Sequence, residues 1–376
     1  MRAIKIIALL GLIWAVSCKK NNGVSYGVPT ITSVAQPLDS THIDTGSFTQ
    51  WVIIYGTNLA SAQSVTFNDQ TVAFDSIYAS DTSVSVRIPR AIPVKVTNTV
   101  TVTTKGGTAS YAFTVLIPAL QVADMFNEYT PVGDTLTVVG QNFDLYGLDT
   151  SATTVTFTGG VTASVISGTA TTLNLIVPTG AEPGPITVKG PAPNNATQTT
   201  IAWYMDNRNF LFGMNPFTGW NGVSNVSTGP TPTPVNGPYF EVAQSWQGGY
   251  AWAPYCSNWC NIPAALVNDS TQYVNYALKF EMNTPAGSAA LPEPLYMCIH
   301  GANNSFESYM YDPSGSNTFP FSTNGKWETF TVPLSSWGDL GGFGYTSSMI
   351  LEFMLQGANP CQSDFGICNF RLVPIN

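Results

Sequence analysis

The sequence predicts an all-β chain made of two similar sandwich modules followed by a third of different make-up. Three observations predict it. From Pro29 to about Trp203, short runs such as Val84-Ser85-Val86-Arg87-Ile88 and Val100-Thr101-Val102-Thr103 alternate between turn residues, the signature of half-buried strands. No stretch there sustains a helical period. The pattern then repeats at offsets of 84 (Gly56 to Gly140), 90 (Phe67 to Phe157) and 89 (Pro89 to Pro178). Composition finally breaks at Trp203: residues 24–202 hold 1 Trp, 6 Tyr and 7 Phe, whereas 203–376 hold 7 Trp, 10 Tyr and 13 Phe.

The N-terminus reads as an address. Arg2 and Lys5 precede an apolar run from Ile6 to Val16, and small residues lead to Cys18, a secretory signal to be left out of the fold. Ala15-Val16-Ser17-Cys18 resembles a bacterial lipobox, which implies a signal over 1–17, acylation of Cys18 and a tether over 18–27. The chain carries 13 basic and 22 acidic residues, net −9. Without Arg2 and Lys5 the balance is 11 against 22, or −11, which opposes nucleic-acid binding. Only 9% of residues are charged and 44% are hydrophobic, excluding a highly charged disordered chain. No later apolar run reaches the ~20 residues of a membrane span.

Export sets an oxidising compartment for Cys256, Cys260, Cys298, Cys361 and Cys368. An odd number leaves at least one unpaired or bonded to another chain. Local bridges Cys256–Cys260 and Cys361–Cys368 are conceivable; sequence does not fix the connectivity. With His42 and His300 as the only histidines and no paired C-x-x-C spacing, zinc is disfavoured. No metal and no cofactor are expected.

In the repeat, Ile54-Tyr55-Gly56-Thr57-Asn58-Leu59 returns as Val138-Val139-Gly140-Gln141-Asn142-Phe143, and Val65-Thr66-Phe67 as Val155-Thr156-Phe157. Val86-Arg87-Ile88-Pro89 returns as Leu175-Ile176-Val177-Pro178. A unit a little under ~100 residues has the size of an immunoglobulin-like sandwich. These motifs resemble the IPT/TIG family over 28–117 and 118–203, which implies spacer modules.

Residues 204–376 show longer strands. Tyr276, Leu278, Phe280 and Met282 share one face; Trp327–Leu334, Met349–Leu355 and Phe370–Val373 are further strands. Antiparallel strands between Gly/Pro/Asn loops suggest a jelly-roll β-sandwich. Tyr276–Met282, then Phe321–Ser335, then Cys368–Pro374 follow the order seen in jelly-roll carbohydrate-binding modules. With the lipobox and IPT/TIG modules ahead of it, the chain resembles a surface glycan-binding lipoprotein of Bacteroidetes polysaccharide-utilisation systems, its last part similar to the xyloglucan-binding domain of that family. The chain departs from the family pattern at Tyr311, where Trp is usual, at Ser314, where another aromatic is common, and at Cys368, where related modules often carry an Asp that helps hold a structural calcium.

Composition supports that expectation independently. Arg208, Lys279, Lys326 and Arg371 are the only basic residues after 203, and an aromatic-rich, charge-poor surface suits neutral ring-shaped ligands. Trp246, Tyr250, Trp252, Tyr255 and Trp259 form the densest aromatic cluster; Tyr250 and Trp252 share a face if extended. Core closure claims about half of these rings. Tyr296, Cys298 and His300 share the polar face of their strand, and Tyr311 is a platform candidate by resemblance. His300 taken alone reads more readily as a structural residue. Trp327 and Trp337 read as framework. The carbohydrate-binding set is therefore Trp246, Tyr250, Trp252, Tyr255, Trp259, Tyr296 and Tyr311.

No paired-carboxylate motif such as E-x-D-x-x-E is present, and no G-x-S-x-G leads into a helical pattern with a positioned His, so no catalytic residue is expected. The expected function is non-catalytic capture of a neutral β-glucan or xyloglucan at the outer membrane, through a lipid anchor and in company with a TonB-dependent transporter. An adhesin or structural surface protein, and then a glycoside hydrolase, are the alternatives.

Overall fold

The computed structural model describes residues 26–191, 196–211, 225–247, 253–287, 295–300, 306–312, 321–355 and 360–375. The chain divides into two compact units, Met1–Ile117 and Pro118–Asn376. Cys18, with the signal and most of the tether, lies outside the described residues.

The first unit is a sandwich of two four-stranded sheets. One orders Thr30–Ala35, Trp51–Thr57, Ser83–Arg87 and Ile77–Ala79; the other orders Gln70–Thr71, Ala62–Phe67, Thr99–Thr104 and Gly107–Ala112. Period-2 alternation puts Val52, Ile54, Val84 and Val86 against Val65, Phe67, Val100 and Val102 in its core. The second sandwich repeats this plan at the start of the second unit. Its sheets order Gln121–Met125, Thr135–Gln141, Thr172–Ile176 and Ser167–Gly168, and Thr162–Ser164, Thr154–Thr158, Glu182–Lys189 and Thr197–Tyr204.

The repeated G-x-N step has one physical cause in both sandwiches. A Cβ on Gly56 would sit 1.8 Å from the Thr30 carbonyl oxygen, and one on Gly140 would sit 2.0 Å from that of Gln121. Only glycine lets the first strand approach so closely. Two residues on, Asn58 and Asn142 adopt φ of 57° and 64°, which asparagine tolerates. Their Nδ2 atoms donate to the carbonyls of Val28 (2.9 Å) and Ala119 (2.8 Å). The next residues, Leu59 and Phe143, are fully buried.

The C-terminal domain is a second kind of sandwich. Its strands are β1 (Asn225–Ser227), β2 (Tyr239–Trp246), β3 (Ala253–Asn261), β4 (Tyr276–Asn283), β5 (Leu295–His300), β6 (Phe306–Tyr311), β7 (Glu328–Pro333), β8 (Ser348–Leu355) and β9 (Cys361–Pro374). A five-stranded joining sheet has the order β1-β2-β9-β4-β7, and a four-stranded outer sheet the order β3-β8-β5-β6; all pairs within them are antiparallel. Between the sheets lie Leu278, Phe280 and Met282 from β4, Met297 and Ile299 from β5, and Leu351 and Phe353 from β8. Phe280 is central, its ring 5.5 Å from Phe353, 5.7 Å from Phe330 and 6.0 Å from Phe370. The last strand begins well before Phe370, where the sequence placed it, because β9 is held on both sides, by β2 and by β4.

Both conceivable local disulfides are corrected. Cys260, Cys298 and Cys368 are buried free thiols, so neither Cys256–Cys260 nor Cys361–Cys368 forms. Cys260 faces the core and Cys368 sits in mid-strand on β9.

The joining sheet's other face meets the second sandwich. The positions of β4 that alternate with its core residues are Lys279 and Glu281, 3% and 0% exposed. Glu128, carried between Gln121–Met125 and Thr135–Gln141, enters this face and is also fully buried. It binds Lys279 Nζ and, at 2.6 Å, Arg371 Nη2; Arg371 Nη2 also binds Glu281 at 2.8 Å. Thr329 donates through Oγ1 to Glu281 (2.8 Å) and through its amide to the Phe126 carbonyl (2.9 Å), and its Oγ1 accepts from the Glu128 amide (2.8 Å). Lys279 and Arg371 thus face the buried carboxylates of Glu128 and Glu281, with part-exposed Asp124 3.7 Å from Lys279 Nζ at the edge of the cluster. Burying any one of them unpaired costs several kcal/mol.

Candidate functional site

The outer sheet turns one face to the core and the other away from it. On β3, Cys260 points inward and is 2% exposed, while its neighbour Trp259 is 61% exposed. Trp259 stands in register with Ile350 on β8, and Ile350 with His300 on β5. The indole and the imidazole are therefore two inter-strand spacings apart, roughly 10 Å. In the next row Glu352 pairs with Cys298, and beyond it Met354 pairs with Tyr296.

His300 Nε2 lies 3.0 Å from Glu352 Oε2. An ionised carboxylate only accepts, so this nitrogen carries the proton. Glu352 keeps 8% of its side chain exposed and His300 33%. Beneath them the Cys298 thiol is pushed up to about 12, by burial and then by the Glu352 charge, and stays a neutral floor. Half-buried Tyr296 completes the described surface. The arrangement offers a flat electron-rich ring for stacking and, beside it, an oriented imidazole–carboxylate pair suited to hydroxyl groups.

The expected site residues divide accordingly. Trp259 and Tyr296 share this outer face. Tyr255 lies on β3 at the irregularity between Pro254 and Cys256, and Trp246 ends β2 in the joining sheet; their rings lie outside the described residues, as do Tyr250 and Trp252. Tyr311 does not join the face. It pairs with Leu295 and Tyr309 with Met297, both core residues, so β6 turns these tyrosines inward. The Tyr311 ring packs edge-on against Phe280 and Phe330, each at 6.1 Å, and burial raises its pKa.

Trp337 is framework, 7% exposed and stacked on Tyr309 at 5.6 Å. Trp327 is only half-buried. The pairing of His300 with Glu352 is the feature that sequence reading missed. Its signal was present in the strand: Glu352 alternates with core residues Leu351 and Phe353, which puts a carboxylate on the face that His300 shares. Among the described residues no group of three His, Cys, Asp or Glu is placed to hold a metal ion.

A charge-poor β-sandwich with an exposed ring and a polar pair on one sheet, joined to an immunoglobulin-like sandwich, is an arrangement suited to a neutral sugar. Residues 204–374 match the surface glycan-binding protein B xyloglucan binding domain, and residues 29–115 match the IPT/TIG domain. An IPT/TIG domain-containing protein from Bacteroides ovatus is 30% identical over 146 residues, covering 36% of this chain; the match spans 29% of that relative's length. The fold is shared with the surface glycan-binding protein PbSGBP-B from Prevotella bryantii (TM-score 0.61, 21% identity, 94% of this chain and 100% of that one). SGBP-B from a complex xyloglucan utilization locus in Bacteroides uniformis aligns over 92% of this chain and 99% of its own, with 18% identity and a TM-score of 0.46.

Proposed function

We propose that this chain is a lipid-anchored cell-surface protein that captures a neutral β-glucan, of xyloglucan or mixed-linkage type, without cleaving it. The observation that carries the reading is Trp259, which leaves 61% of its surface in water beside the His300–Glu352 pair, in a domain of a xyloglucan-binding family. The indole stacks on a sugar face, and His300 with Glu352 takes hydroxyl groups at its side. Trp246, Tyr250, Trp252 and Tyr255, whose rings lie outside the described residues, are the further candidates for stacking. Glycoside hydrolysis needs two carboxylates acting on one bond; Glu352 is engaged with His300, which supports binding without chemistry. Acylated Cys18 holds the protein in the outer membrane, the two IPT/TIG-like sandwiches separate the anchor from the binding domain, and captured glycan passes to a TonB-dependent transporter.

Affinity electrophoresis of the mature chain tests this. Migration is retarded in gels containing xyloglucan or mixed-linkage β-glucan and unchanged in a polygalacturonate gel. Unretarded migration in both the xyloglucan and the mixed-linkage gels overturns the reading.

A further inference from the structure

We propose that a second saccharide site lies on the opposite side of the C-terminal domain, in the cleft between the joining sheet and the second sandwich, where a short neutral segment stacks on Trp327 and Phe126. The proposal rests on the glycan-capture reading above and adds a site to it. The cleft holds about 700 Å³, within the roughly 300–1,000 Å³ of small-molecule sites. Trp327, Phe126 and Pro234 supply its apolar wall, and Asp134, Thr135 and Lys326 polar groups. One cation and one anion leave the lining neutral, as the ligand would be.

The two rings are held in place from both sides of the junction. The amide of Thr329 donates to the Phe126 carbonyl at 2.9 Å. Phe126 and Trp327 line the same cleft. Trp327 Nε1 donates to the Thr233 carbonyl at 2.8 Å, and the ring meets Tyr239 edge-on at 5.4 Å. A Cβ on Gly366 would lie 3.0 Å from the indole; glycine makes room for it there. Phe126 itself stays 39% exposed.

The far wall is ordered in advance. Thr137 Oγ1 donates to Asn174 Oδ1 at 2.7 Å, and Asn174 Nδ2 to Ser167 Oγ at 3.0 Å. Aromatic faces opposite fixed hydroxyl and amide groups fit a sugar, which presents C–H faces and hydroxyl edges. A charged polymer or a basic peptide would find no matching field.

Fluorine NMR of the full mature chain labelled with 5-fluorotryptophan tests this. The Trp327 and Trp259 signals are assigned from Trp327→Phe and Trp259→Phe, and a xyloglucan heptasaccharide is the probe. Both signals should shift saturably, and Trp327 should still respond in Trp259→Ala. Phe126→Ala should weaken the Trp327 response roughly tenfold, the loss of one stacked ring, without moving the Trp259 titration. A Trp327 signal that stays still while Trp259 shifts overturns the second site and leaves the first intact. If neither signal moves, both readings fall. Should Phe126→Ala fail to fold, the response of Trp327 in the unaltered chain decides.

Discussion

Arg371, on the last strand of the chain, binds Glu128 of the second sandwich at 2.6 Å, and neither residue is exposed to solvent. This pair makes residues 118–376 one physical object. Without the sandwich, Lys279, Glu281 and Arg371 would lie on an open sheet face, with Glu128 removed from both cations.

Glu128→Ala is therefore expected to destabilise the second unit by about 3–5 kcal/mol, because it leaves a buried charge uncompensated. Urea denaturation of residues 118–376, wild type against variant, measures it. By the same argument residues 204–376 alone are less stable than 118–376. A loss below about 1 kcal/mol, the range of exposed pairs, would mean that water reaches the cluster.

Burial, opposed by Lys326, raises the Glu328 carboxyl to about 7 from an ordinary 4.5. A raised folded-state value means that the group favours the fold fully below 4.5 and loses that contribution as pH rises through about 7. Stability should fall between pH 5 and 8, and Glu328→Gln should flatten that slope. Melting curves across this range check it; an unchanged slope in the variant contradicts it.

Burial pushes the thiols of Cys260 and Cys298 up to about 12 and that of Cys368 well above its ordinary value. The thiolate is the reactive form. Iodoacetamide at pH 8 should modify these three only after denaturation, as read by peptide mass spectrometry. Rapid native labelling of any of them would show that its strand opens.

If Cys18 is acylated, the protein partitions into the detergent phase and incorporates labelled fatty acid. Cys18→Ala should abolish both. Unaltered labelling in the variant would place the lipid elsewhere or remove it from the account.

Much of the fold was legible because the strands obey period 2. Val52 and Ile54, or Leu278 and Phe280, announce a buried face by spacing alone. The G-x-N repeat was visible as a pattern, and its cause is a backbone approach with no room for a Cβ. The junction was hidden by the same alternation. Lys279 and Glu281 read as the polar side of a strand, and only the partner sandwich turns that side into an interior. Tyr311 was misjudged for a related reason: aromatic identity says nothing about which way a strand faces, whereas its pairing with Leu295 does. On the outer face, Trp259 and Tyr296 were candidates by residue type alone, and the strand alternation of β3 and β5 is what puts them on one face. The pairing of His300 with Glu352 needed the register of β5 on β8, which joins residues 52 positions apart.

The central claim is that glycan is held by stacking on the outer sheet. Calorimetric titration of mature Trp259→Ala with a xyloglucan oligosaccharide tests it most directly. Stacked aromatic rings contribute ~1–3 kcal/mol each in the nucleic-acid analogy, so affinity should fall roughly tenfold or more, with the circular dichroism spectrum unchanged. Binding by the wild type should also be nearly independent of salt, since few charges face the ligand. A folded Trp259→Ala protein that binds with wild-type affinity would contradict the account and move the platform off this face.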